Sequence, residues 1–597
     1  MHSTRALTAI LLGSTVVGFA TLGTAIAPAE QPPNAAELLD PAYVAQQVCG
    51  PVKRRSEFFN PGFQIAATQA ASQTTKADSG PVLYDNLGTL TDPVSTRAPE
   101  AQRYFDQGVR LTYAFNHGEA ARAFRKAQTI DPTCAMCYWG EAFALGPNIN
   151  YPMLPPAVAP AFAAVAQAMA LRDQASPRER ALIEALSTRY SADPAADRKA
   201  LDAAYADAMA GVAAAFPDDD QVQVLFADAL MNLQPWDYWA PDKTAPKGRT
   251  AEQVAALETV LRRNPDHLGA IHLYIHTVEA STTPKRAESF ADRLNGKMPG
   301  AGHLVHMPAH IYYRVGRYLD SLNVNVAAVK ADEALFAAAD QDPVYRYSYY
   351  PHNVHFVLVS ARMAGDGGLT IEAAEKLRQL IPTEQAREIP SVQAIQQAPY
   401  FAHAQFSPSE TILNLPDPGA DLPFVQGSWR YARAMAQIRA GDLRAAAEER
   451  ARLGDLIEGP DYSDLVAWFV PAKETLTVAG LVVDGQIARA AGDHAKVEAA
   501  LREAAAMQAN LPYMEPPFWY YPVRQTLAAV MLESGKHSEA IQEFQASLHE
   551  APNNAFALYG LMMAQEAAGD AAGAKVTKAL FDKAWAGGTD VPQLECR

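Results

Sequence analysis

The chain has 597 residues, far more than one ordinary domain, with a formal net charge of −16 and a pI near 5.4. That charge argues against a nucleic-acid partner, whose phosphates it would repel, and the tight basic run Lys53-Arg54-Arg55 reads as solvated charge. Alanine is abundant and alternating β-branched runs are few, so composition favours helix nearly throughout.

Residues 1–29 read as a secretory signal: Arg5, an apolar stretch over Leu7–Thr24, and Ala27-Pro28-Ala29 as the small-x-small cleavage site. The expectation is an exported protein, periplasmic or secreted, with no transmembrane span after signal removal. Residues 30–98 carry Pro, Gly, Ser and Thr with little period and read as an extended, partly ordered lead-in. Four cysteines, Cys49, Cys134, Cys137 and Cys596, are too few to hold a fold of this size. Cys134-x-x-Cys137 precedes Tyr138 rather than His, so it is no haem attachment site; it reads as a disulfide or as a redox or metal pair at a helix start.

From Pro99 a period appears. In a unit starting at Ala101, Tyr104, Gly108, Ala120, Phe124, Ala127 and Pro132 fall at positions 4, 8, 20, 24, 27 and 32. Small residues at 8 and 20 let two helices approach, the aromatic at 24 fills the space between units, and Pro ends the second helix. A unit from Tyr521 repeats the pattern with Gly535, Ala540, Phe544 and Pro552, and its successor has Gly569 and Ala574. Pro265 and Pro299 stand 34 apart, which marks units at 234–267, 268–301 and 302–335. Helices are expected at about 157–172, 177–190, 195–215 and 219–233. GPNINYPMLPP reads as a loop, and Leu233–Trp239 (LQPWDYW) as an aromatic loop that either packs between units or walls a binding groove.

These positions resemble the tetratricopeptide repeat, a helix–turn–helix unit of 34 residues. The resemblance implies an all-α, right-handed solenoid of antiparallel helix pairs with irregular insertions, whose usual task is binding a peptide or protein partner. Residues 99–384 are the expected N-terminal solenoid, 385–424 a Pro-rich connector and 425–597 a C-terminal solenoid.

Of 14 histidines, seven lie in three short stretches: His272 and His276; His303, His306 and His310; His352 and His355. Spacings of 3 and 4 put each set on one helix face. In the family, positions 2, 5, 9, 12 and 13 of the first helix face the concave groove. On that register His303 and His352 are at position 2, His272, His306 and His355 at 5, and His276 and His310 at 9. Glu279, Tyr313 and Arg362 are at 12 and Arg314 at 13. Three stacked helices would thus present one imidazole face.

Imidazoles so placed suit a divalent transition metal (Zn, Cu or Fe), and Met307, at position 6 and partly off the face, would tilt the choice toward copper. The expected function is a binding scaffold with a metal-loaded pocket formed by these seven histidines, Glu279, Tyr313, Arg314 and Arg362 lining the groove. Two alternatives stand beside it: a metal-independent peptide adaptor using imidazole hydrogen bonds, and a metal-dependent hydrolase or oxidoreductase with Glu279 as general base. HExxH, GxSxG, a Gly-rich phosphate loop and paired catalytic carboxylates are all missing, so neither nucleotide nor haem is expected. His403 lies outside the register.

Overall fold

The computed structural model describes residues 81–588 except 194, 339 and 340. The expected signal sequence, the lead-in up to residue 80, Lys53-Arg54-Arg55, Cys49 and Cys596 lie outside the described residues. Within them the chain is a succession of helices, with two isolated bridges, Asn148–Tyr151 and Trp239–Pro246, in place of strands. Consecutive helices pack as antiparallel pairs, and each pair packs on the next, as in a TPR-like solenoid. No helix among the described residues is long and apolar enough to cross a membrane.

Local chemistry sets the hairpins. Gly-Asp recurs at the turn between paired helices: Gly365-Asp366, Gly441-Asp442, Gly492-Asp493 and Gly569-Asp570. Each Gly sits at a positive φ, between 76° and 84°, which ends the first helix at little steric cost. The following Asp side chain then accepts from a backbone N–H in the first turn of the second helix. Between units, Phe124 is buried where Cβ atoms at Gly108 and Gly140 would lie 2.5 and 2.4 Å from its ring, so position 24 fills the gap as its spacing predicts.

The irregular region follows expectation in outline: helices span Pro155–Leu171, Pro177–Ser187, Arg198–Ala215 and Asp220–Met231. The 234–267 unit differs. Its second helix is Thr250–Arg263, but Pro235, Pro241, Pro246 and Gly248 leave its first half as loop. Residues 385–424 hold short helices, among them Ala398–Phe406, rather than bare linker. The described end of the lead-in is tied down: Tyr84 N–H and Asp92 N–H donate to Gln107 Oε1 (2.8 Å) and Asp106 Oδ1 (3.0 Å) of the first repeat helix.

The solenoid also closes on itself. Ala586 N–H donates to Ala364 O at 2.7 Å, and Asn553 Nδ2–H to Gly316 O at 3.3 Å. The segment after Ala509 lies in the groove of the N-terminal repeats: Arg362 donates to Tyr520 O (3.2 Å) and Gln397 Nε2–H to Phe518 O (3.2 Å).

One packing contact tests the pairing of helices at the histidine stretch. A Cβ on Gly302 would meet Asp332 Oδ1 at 1.9 Å, whereas one on Gly211, inside Arg198–Ala215, meets nothing within 4 Å. Gly302→Ala should destabilise by about 1–3 kcal/mol and Gly211→Ala should stabilise by about 0.5–1 kcal/mol. Denaturant unfolding of the two variants reads both signs.

Candidate metal centre

Three first helices converge on one place. Leu268–Val278 carries His272 and His276; Gly302–His306 and Pro308–Arg314 carry His303, His306 and His310; Tyr350–Met363 carries His352 and His355. The middle helix, expected to be continuous, is interrupted at Met307, because Pro308 has no N–H for the carbonyl of Leu304. The interruption does not part its histidines.

Six imidazoles come together as two adjacent groups, His272/His276/His303 and His306/His310/His352, bridged by a third, His276/Glu279/His310; within each, one ligand atom per residue lies within 4.8 Å of the others. The rings of His276 and His310 join the groups at 5.1 Å. Phe115 caps the first, nearly parallel to His303 (5.1 Å) and His276 (5.9 Å).

The tautomers follow from groups that can only accept. His272 Nδ1–H donates to Tyr113 O at 2.6 Å, a contact made close by Gly269, where a Cβ would strike the Tyr113 ring. His276 and His310 donate from Nδ1 to the two oxygens of Glu279, each at 2.7 Å. His306 Nδ1–H donates to Asn325 Oδ1 at 2.6 Å, and the Asn325 amide is fixed because its Nδ2–H donates to Ser321 O. Four imidazoles are therefore held with Nε2 as a bare lone pair.

Two of those lone pairs face one another: His306 Nε2 and His310 Nε2 are 2.9 Å apart, while His272 Nε2 lies 3.2 Å from Nε2 of His303, whose tautomer no acceptor fixes. His276 Nε2 and His303 Nδ1 are buried with no hydrogen-bond partner. Two lone pairs at 2.9 Å repel unless a cation lies between them. A proton on His306 is disfavoured: burial first, then the neighbouring imidazoles, push that imidazole well below the usual range, and His272, His303 and His352 likewise. A metal fits: bonds of about 2.0–2.1 Å set adjacent ligand nitrogens roughly 2.9–3.4 Å apart.

Glu279 is fully buried. Burial pushes its carboxyl up, but His310 and the hydrogen bonds from His276 and His310 outweigh this and hold it well below the usual carboxylate range. Tyr513 Oη–H adds a third donor to it at 3.0 Å. A carboxylate so engaged is a poor base; it orients two imidazoles.

The other sequence candidates divide. His355 is not brought into the cluster: its Nε2 lies 2.7 Å from Tyr520 Oη, and burial pushes its imidazole down to about 3. Arg314 donates to Glu279 O (2.9 Å) and Ser281 O (3.3 Å), and with Tyr313 lines a side cavity of about 350 Å³. Arg362 is held by Gln405 and Tyr520 O, within the chain's own C-terminal segment. Cys134 and Cys137 form a buried disulfide. His403, off the register, pairs with Ser407 and Glu375, each at 2.8 Å. Asn325, Tyr113, Phe115 and Tyr513 escaped the sequence reading. Tyr113 stands at groove position 13 of the unit from Ala101, a signal that was open to the ruler; Asn325, Phe115 and Tyr513 stand at none, and Tyr513 lies 234 residues from Glu279.

A cavity of about 460 Å³ opens directly on the cluster, reached by His276, His303, His310 and His352, two from each group. Trp236 and Trp239 of the aromatic loop form part of its wall, the second of the two readings for that stretch.

No protein-family model matches the chain, and no curated protein matches it in sequence. Solved structures do. The human IFIT1 dimer with m7Gppp-AAAA is 12% identical, covers 82% of this chain and 90% of its own, and has a TM-score of 0.31. Yeast Tom70 is 10% identical, with 79% and 89% coverage and a TM-score of 0.26. The P58(IPK) TPR domain is 13% identical, with 79% and 98% coverage and a TM-score of 0.20. At such scores the likeness says nothing of a site or partner.

Glu515, beside the cavity, gives a pH signature. Burial, then partly offset by Arg314, pushes its carboxyl up to about 8 from 4.5, and its Oε2 has no hydrogen-bond partner. The folded state thus holds a proton that the unfolded state releases near pH 4.5. This contribution to stability is complete below that pH and is lost as pH rises through about 8. Glu515→Gln should remove the loss, so its Tm should gain on wild type steadily from pH 5 to pH 8, read by thermal melts across about that range.

Proposed function

We propose that this is an exported metal-binding protein whose six-imidazole cluster holds two divalent transition-metal ions at the end of a small-molecule cavity. The TPR-like helical fold supports the coarser reading, a binding scaffold. The observation that carries the finer one is the 2.9 Å approach of the His306 and His310 lone pairs, with both Nδ1–H groups committed elsewhere. The donors are neutral imidazoles, a set that suits Cu, Zn or Fe, with copper favoured among divalent ions at equal availability. Glu279 brings one buried negative charge, which the ions would offset. Export is supported by the N-terminal signal pattern and the Cys134–Cys137 disulfide.

Two observations bear on the alternatives. The segment that includes Tyr513 and Tyr520 occupies the groove where a peptide adaptor would take its ligand, which disfavours that use of this face. The cavity favours a metal-dependent enzyme as the second reading, since four cluster imidazoles meet it. In that reading the ions supply Lewis acidity or redox change, the histidines hold them, and Glu279 keeps His276 and His310 aimed.

Elemental analysis of the purified full chain should find two transition-metal ions per molecule. His306→Ala should lower affinity by more than the roughly 10–100-fold loss expected for Glu279→Gln. His355→Phe and His403→Ala should leave metal content unchanged. A metal-free protein that takes up none of zinc, copper or iron would sink the proposal.

A further inference from the structure

The cavity's walls say what kind of molecule belongs beside the cluster. On one side Trp236 stands edge-on to His276 at 5.1 Å. On the other, rings run in series from the mouth inward: Trp468 to Tyr151 (6.0 Å), Tyr151 to Tyr349 (5.9 Å) and Tyr349 to His303 (5.0 Å). Both walls end on imidazoles, and both are aromatic. At the mouth Phe469 is 61% exposed, so the entrance is apolar and open.

Backbone conformation marks the same residues. Trp236 and Phe469 adopt φ of 65° and 63°, in the left-handed region that bulky side chains rarely occupy. Glycine would be cheaper at both, by about 1–2 kcal/mol, so the rings are held in place against a local cost.

Charge is nearly absent from the interior. Asp237, 63% exposed, is paired with Lys247, and the Lys243 ammonium lies over the Tyr513 ring at 5.8 Å. Burial keeps the Glu515 carboxyl protonated at neutral pH. A cationic ligand would find no free carboxylate among these groups, and a volume of about 460 Å³ is in the range of small-molecule sites rather than of a folded peptide.

We infer that the cavity binds a small aromatic molecule, neutral or anionic, bearing an oxygen donor, its ring between the Trp236 and Tyr349 walls and its oxygen toward the imidazoles. The ring preference rests on the walls alone; the oxygen donor rests on the metal reading above.

The test uses 2-naphthol against decahydro-2-naphthol, a saturated probe with the same hydroxyl, titrated calorimetrically into the full chain with and without metal. Naphthol should bind at least about tenfold more tightly than the saturated probe, in proportion to two aromatic contacts, and more tightly with metal than without. Trp236→Leu combined with Trp468→Leu should weaken naphthol about tenfold while metal content stays unchanged. Aromatic preference in a protein that takes up no metal would support the walls and overturn the metal reading alone. Equal affinity for the two probes, no saturable binding in either form, or an unchanged constant in the double variant of unchanged helicity would overturn the inference.

Discussion

Neutral imidazoles carry one proton each, and where that proton is placed decides what the ring can do. In this protein His272, His276, His306 and His310 all donate their Nδ1–H to an oxygen that can only accept, so all four turn an unprotonated Nε2 inward. Crowding lone pairs in a buried site is unfavourable by itself. The surrounding structure imposes it: a backbone carbonyl at the end of the first repeat helix, an amide locked by its own hydrogen bond, and one carboxylate shared by two rings. Removing any of these acceptors would free a tautomer and relax the crowding.

Much of this was legible in the sequence because its causes are local. Gly-Asp turns, Phe124 and the prolines at position 32 act within one unit or on the next, so the 34-residue ruler places helices and the face they share. The ruler brought six histidines to one site. It failed for His355, whose register is right but whose nitrogen is taken by Tyr520, 165 residues away. It also failed for the first half of the 234–267 unit, where three prolines outweigh the period. The residues that orient the imidazoles are ordinary in sequence; only their partners make them functional.

The division of labour between elements is clear. The six clustered imidazoles sit on helices, which hold them rigidly. Part of the cavity wall comes from loops, and loops tolerate the left-handed backbone at Trp236, Lys243 and Phe469. Phe115, also left-handed at φ 52°, ends the first repeat's turn and stacks on the cluster. Four of the five non-glycine residues at positive φ among those described thus border the cluster or its cavity, a concentration that ordinary turns do not produce.

The closure of the solenoid has a consequence in time. All six cluster histidines precede residue 353, whereas Tyr513, Phe518 and Tyr520 arrive later in synthesis or export. Repeats fold on their neighbours as they emerge. The imidazole face is therefore assembled while its roof is still unmade. On the metal-binding reading, ions would reach it directly in that interval, and afterwards by way of the cavity beside the roof. Loading and later ligand traffic would then use different doors, separated by the docking of one C-terminal segment.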